Sequence, residues 1–180
     1  MRLWTTLSRA TTGWGAVLRG QPGWREHFTI SPAGLATAFC IFLFGAFLAV
    51  ALASANYGMP SVLGVLAAMF VLSLPVAAIV LSLLGTRKML KSAVPSLDLL
   101  VPAVYAATIF LFLEGILAMV GGPLAMLSWL ALGYALFRLA RAAYGWNGGI
   151  AGAFATLTVL LLVALRTALY MLTSLATAPI

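Results

Sequence analysis

Acidic residues are almost missing from this chain. Glu26, Asp98 and Glu114 are the only three, against ten lysines and arginines, in 180 positions. A single cysteine, Cys40, excludes a disulfide framework, and with a single histidine, His27, it leaves too few ligands for the usual zinc sets. Charged residues of both signs make up 7% of the sequence. A soluble globular domain carries about 25%, so that class is excluded. The same scarcity removes most chemistry. Metal-assisted hydrolysis lacks its cluster of acids and histidines, serine–histidine catalysis lacks a histidine near the apolar core, and bis-histidine haem needs a second histidine. The glycines of "GWNGGIAG" come with no lysine to make a phosphate cradle. The sequence therefore predicts a protein that is not an enzyme and takes no cofactor or metal.

Apolar residues are abundant instead, at 64% of the chain. They form five runs of about 20 residues, the length needed to cross a ~30 Å hydrocarbon core as a helix. The runs lie near 32–55, 60–84, 97–120, 123–143 and 149–172. The expected fold is all-α: a polytopic membrane domain over 31–180 with five transmembrane helices, preceded by an amphipathic segment over 1–30. The punctuation fits. Ser31-Pro32 offers an N-cap followed by proline at the first helical position, Gly122-Pro123 opens the fourth run, Gly145 can end it, and Asn147 can cap the fifth. Ser96 and Asp98 suit the first turn of the third, where a carboxylate meets the positive end of the helix dipole. Pro75 falls inside the second run and predicts a kink there.

The basic residues set an orientation. Arg2, Arg9, Arg19 and Arg25 precede the first run, Arg87, Lys88 and Lys91 follow the second, and Arg138 and Arg141 end the fourth. Five crossings place all nine on one side, which the positive-inside rule makes the cytoplasm, with the C-terminus outside. Short basic clusters between apolar runs are the mark of contacts to anionic lipid headgroups, and nucleic acid is not an expected partner. A bacterial inner (plasma) membrane is the expected location. The small-residue sequence "ALASA" at 51–55 follows an apolar stretch too long for a signal peptide, so cleavage there is not expected.

The first twenty residues are too polar to span. Leu3, Trp4, Leu7, Ala10, Trp14, Val17 and Leu18 fall on one arc of a helix, with Arg2, Arg9 and Arg19 opposite. This predicts a helix in the headgroup layer, tryptophans toward lipid and arginines toward phosphate. Gly13 and Gly15 weaken its helix propensity. His27, beside Arg25 and Glu26, reads as a wet interfacial side chain. Cys40, inside an apolar run, reads as a small packing residue.

Two charges do not belong to these clusters. Glu114 sits in "IFLFLEGILAMV" and Arg166 in the fifth run, and each lies 17 positions beyond the start of its run, at 97 and 149. At 1.5 Å per residue both reach about 25 Å from the inner edge. A lone charge near the bilayer centre costs about 2.5–3.5 kcal/mol on insertion scales, so pairing is expected. Small residues on both faces (Ala103, Ala107 and Ala118; Gly152 and Ala155) predict close approach of the two helices, with Gly148 and Gly152 adding a GxxxG pattern. Gly45, Ala49 and Ala53 form a similar ridge in the first run.

The segment "LGYALFRLARAAYGWNGGIAGAFATLTVLLLVAL", residues 132–165, resembles the last two helices of the Yip-type family of small five-span membrane proteins. The aromatic–basic end of the fourth run, the short turn at Tyr144 and Gly145, and the alanine-rich fifth run carry the likeness. The resemblance implies five spans and a cytoplasmic N-terminus. It covers about a third of the chain and brings no partner-binding motif, so the family's role in vesicle traffic is not carried over.

The functional expectation is a non-enzymatic accessory or scaffold subunit that packs against other membrane proteins, or against copies of itself, and against lipids. The alternative is a small oligomeric transporter or channel with Glu114 and Arg166, joined by Tyr105 or Tyr134, on a polar path.

Overall fold

A computed structural model describes residues 3–58, 60–91 and 95–176 of the chain. Six α-helices account for most of them: α1 (Leu3–Arg19), α2 (Pro32–Tyr57), α3 (Val62–Leu90), α4 (Leu97–Val120), α5 (Ala125–Tyr144) and α6 (Gly148–Ala176). Single 3-10 turns occupy Trp24–His27 and Gly122–Leu124. No strand occurs among the described residues.

The helix ends follow local chemistry. The Ser31 hydroxyl accepts a hydrogen bond from the Gly34 amide at 3.0 Å, with Pro32 at the first helical position. A Cβ on Gly34 would stand 1.7 Å from the Thr29 carbonyl oxygen, so this entry turn accepts only glycine. The Asn147 side chain accepts from the Ile150 amide at 2.9 Å. Gly145 closes α5 at φ +62°, in the left-handed region that glycine enters without strain. Ser96 stands at the α4 N-cap without a side-chain cap bond, and Asp98 lies in the first turn as expected. Pro75 lies inside the single unbroken helix α3, and Pro102 likewise inside α4.

Among the described residues, four helices are long and apolar enough to cross a membrane: Pro32–Ser54, Val62–Leu90, Leu97–Val120 and Gly148–Leu172. These mark an integral membrane protein. Helix α5 falls outside that set because Arg138 and Arg141 dilute a segment of only 20 residues. Helix α4 is the axis of the bundle and packs against α1, α2, α3 and α5, while α5 and α3 both pack against α6. Its middle, Val101 through Thr108, is buried side chain by side chain. The outward faces stay greasy: Phe44, Phe47, Leu66 and Phe70 are all more than half exposed, as lipid-facing positions of α2 and α3 would be.

Helix α1 packs on protein rather than lipid along much of its apolar arc. Ala10, Trp14 and Val17 are buried, and the Trp14 indole donates to the Pro102 carbonyl oxygen at 3.1 Å. Trp4 and Leu18, toward the two ends of the helix, stay 80% and 40% exposed. Gly13 explains how the following loop comes so close. A Cβ there would meet the Phe28 ring at 2.5 Å and the Cβ of His27 at 2.8 Å. His27 is thus half-buried against α1 rather than wet.

Candidate functional site

The two stray charges meet. Both guanidinium nitrogens Nη1 and Nη2 of Arg166 donate to the Glu114 carboxylate, Nη2 to Oε2 at 2.8 Å, in the two-pronged geometry that suits arginine and carboxylate. A third group joins them from α5: the Trp129 indole donates to Glu114 Oε1 at 2.7 Å. The Arg166 guanidinium also lies 5.8 Å from the Trp129 ring centre and 5.9 Å from that of Phe110, within cation–π range. Glu114 and Arg166 keep only 15% and 22% of their side chains exposed. Three helices are therefore tied at one point, and every hydrogen bond involved carries a charge.

The expected close approach of the helices bearing the pair is not made. Helices α4 and α6 barely meet through their backbones, because α5 packs between them on one side and α3 on the other. The length of the arginine side chain bridges the gap. An open cavity of about 620 Å³ remains beside the pair, lined mostly by apolar side chains including Ala49, Leu72, Leu111 and Ala118, with Glu114 and Arg166 in its wall. Neither Tyr105 nor Tyr134 lines it. Tyr105 is buried against Phe28, ring centres 6.0 Å apart, and Tyr134 is 54% exposed on α5.

The glycine pattern is corrected as well. A Cβ on Gly148 or Gly152 meets nothing within 4 Å, so neither serves close packing within the chain. The close α5–α6 contact uses Gly133, whose Cβ would meet Val159 at 3.2 Å. Gly45 does act as expected, opposite Phe112 at 3.2 Å and Thr108 at 3.5 Å, and Ala49 is half-buried beside it on α2. Cys40, expected as a packing residue, is exposed on α2.

A second cluster, unread in the sequence, joins the opposite ends of α4 and α5. Arg25 Nη2 donates to Asp98 Oδ2 and to the Ala143 carbonyl oxygen, both at 3.0 Å, and its guanidinium stacks 5.0 Å over Trp24. The Tyr144 hydroxyl donates to the Pro95 carbonyl oxygen at 3.2 Å. Of the other basic residues, Arg9 donates to the Glu26 carbonyl oxygen at 2.7 Å, Arg19 ends α1, Arg87 and Lys88 sit in the last turn of α3 with Lys91 as its C-cap, and Arg138 and Arg141 lie near the end of α5. Arg2 lies outside the described residues.

No group of three or more metal-ligating side chains gathers among the described residues. What the geometry defines is an all-helical membrane bundle fastened at both ends by ionic clasps. No family model, curated protein or solved structure matches the chain.

Proposed function

We propose that this chain is a five-span, non-enzymatic membrane component, an accessory or scaffold subunit whose ionic clasps hold a rigid bundle for other membrane proteins and lipids to pack against. The carrying observation is the engagement of Glu114. Both of its oxygens accept from Arg166, and one also from Trp129, which supports a fixed structural pairing over a proton or ion relay.

Helix α5 serves as the fourth of the five crossings. Its 20 residues reach about 30 Å. Arg25 joins the start of α4 to the end of α5, and Trp129 joins the far end of α4 to the start of α5, so the two run antiparallel over their full length. Its arginines sit at the same end as Arg25, which supports an inside N-terminus under the positive-inside rule. A bacterial inner membrane fits this reading.

One observation favours a small transporter instead: the cavity of about 620 Å³ reaches Glu114 and Arg166. Its largely apolar lining suits an acyl chain better than an ion path. Two measurements separate the readings. Crosslinking in native membranes should capture one partner at fixed stoichiometry, and liposomes reconstituted with the pure protein should show no proton conductance. A strictly monomeric particle, or a proton flux abolished by Glu114→Gln, would overturn the proposal.

A further inference from the structure

We propose that the wall built by α1, α4 and α5 holds one anionic phospholipid. Its phosphate lies in an arginine-lined cleft, and an acyl chain lies in the groove that follows along α5. The cleft has a volume of about 720 Å³ and lies between the loop after α1 and the last turns of α5, with Arg25, Arg138 and Arg141 in its lining. Arg25 is engaged by Asp98, whereas neither Arg138 nor Arg141 pairs with a carboxylate among the described residues. Glu26 is the single acid in the lining, so two arginines face it and the cleft keeps a positive balance. Gly20 makes room for this arrangement. It sits at φ +71°, and a Cβ there would stand 2.9 Å from Arg138 Nη2.

A phosphate could come from a free anion or from a lipid, and the neighbouring groove decides between them. A second cavity, about 260 Å³, is walled by Trp14 and Leu18 of α1, Ile109 and Leu113 of α4, and Ala131 and Ala135 of α5. On α5, positions 131, 135, 138 and 142 advance by threes and fours along one face. The apolar groove and the arginine cleft therefore follow one another along the same stripe, with the last turns of α1 beside both. A polar end followed by an apolar channel has the outline of an amphiphile. The depth is compatible: Arg138 lies six residues, about 9 Å, from the Tyr144 end of α5, and a long arginine side chain snorkels back to the headgroups from there. Basic pockets on this side of a bundle are known to take such headgroups.

The inference rests on the membrane placement of α5 proposed above and not on the Glu114 clasp, so either can fail alone. The experiment is thermal unfolding of the full-length protein in a mild maltoside detergent, titrated with phosphatidylglycerol, phosphatidylcholine or inorganic phosphate. Phosphatidylglycerol should raise Tm saturably and the other two should not. The double variant Arg138→Gln/Arg141→Gln should weaken the apparent affinity by about tenfold or more. Ala131→Trp, at an exposed position in the groove, should weaken it while leaving the lipid-free Tm unchanged. Equal shifts with phosphatidylcholine would overturn the proposal, and so would a shift with phosphate alone. An unaltered titration in the arginine variant, or in Ala131→Trp, would overturn it too. A protease-accessibility map placing the Tyr144 end of α5 outside would instead remove the topology on which it rests.

Discussion

Trp129 gives its indole hydrogen to the same carboxylate oxygen of Glu114 that Arg166 Nη1 contacts, from a helix antiparallel to the one carrying the acid. The indole therefore gives the acid a second anchor, from α5, beside the one from α6. It also supplies a ring face to the guanidinium at 5.8 Å. Trp129→Phe removes the donor and keeps much of the ring. The expected loss is about 1–2 kcal/mol, between the value for a hydrogen bond to a charged group and the smaller values measured inside membranes. Unfolding in a mixed-micelle denaturant titration checks it, and an unchanged midpoint would show that the indole bond contributes nothing.

Gly13 and Gly15 make a matched pair on α1. Alanine at either position improves helix propensity by up to ~1 kcal/mol. At Gly15 a Cβ meets nothing within 4 Å, so Gly15→Ala should be neutral or stabilising. At Gly13 the Cβ would run into the Phe28 ring, which is held between Trp24 and Tyr105 and cannot swing away. Gly13→Ala should cost roughly 1–3 kcal/mol, the range for an overpacked contact. Thermal melts of the two variants side by side test this, with opposite signs expected.

How much of this could be read from residues alone differs from feature to feature. The Glu114–Arg166 pair was legible because two charges stranded in hydrocarbon must meet, and a shared offset of 17 positions set their depth. Trp129 was not, since an aromatic near a membrane surface has an ordinary reason to be there and its partner depends on helix rotation. Asp98 had a sufficient local reason at a helix start, which hid its bond to Arg25, 73 residues away. Gly13 looked like a weakness in α1 because propensity sees one helix at a time, while its purpose lies in the loop packed against it. Gly148 and Gly152 matched a packing pattern, but the pattern cannot say which neighbour uses it. The close contact fell to Gly133 because α5, not α4, lies against α6. The helices begin within a few residues of the apolar runs, but α3 continues to Leu90 through Arg87 and Lys88, which lie beyond its apolar run.

The central claim is that Glu114 and Arg166 act as one structural clasp across a gap between helices that hardly touch. A double-mutant cycle on unfolding free energy tests it most directly, using Glu114→Gln, Arg166→Gln, the double change, and the exchange Glu114→Arg/Arg166→Glu. Each single change should cost about 2–4 kcal/mol by stranding the other charge. The double change should cost clearly less than the sum, and the exchange should recover much of the loss. Strictly additive costs, or tolerance of both single changes, would contradict the clasp.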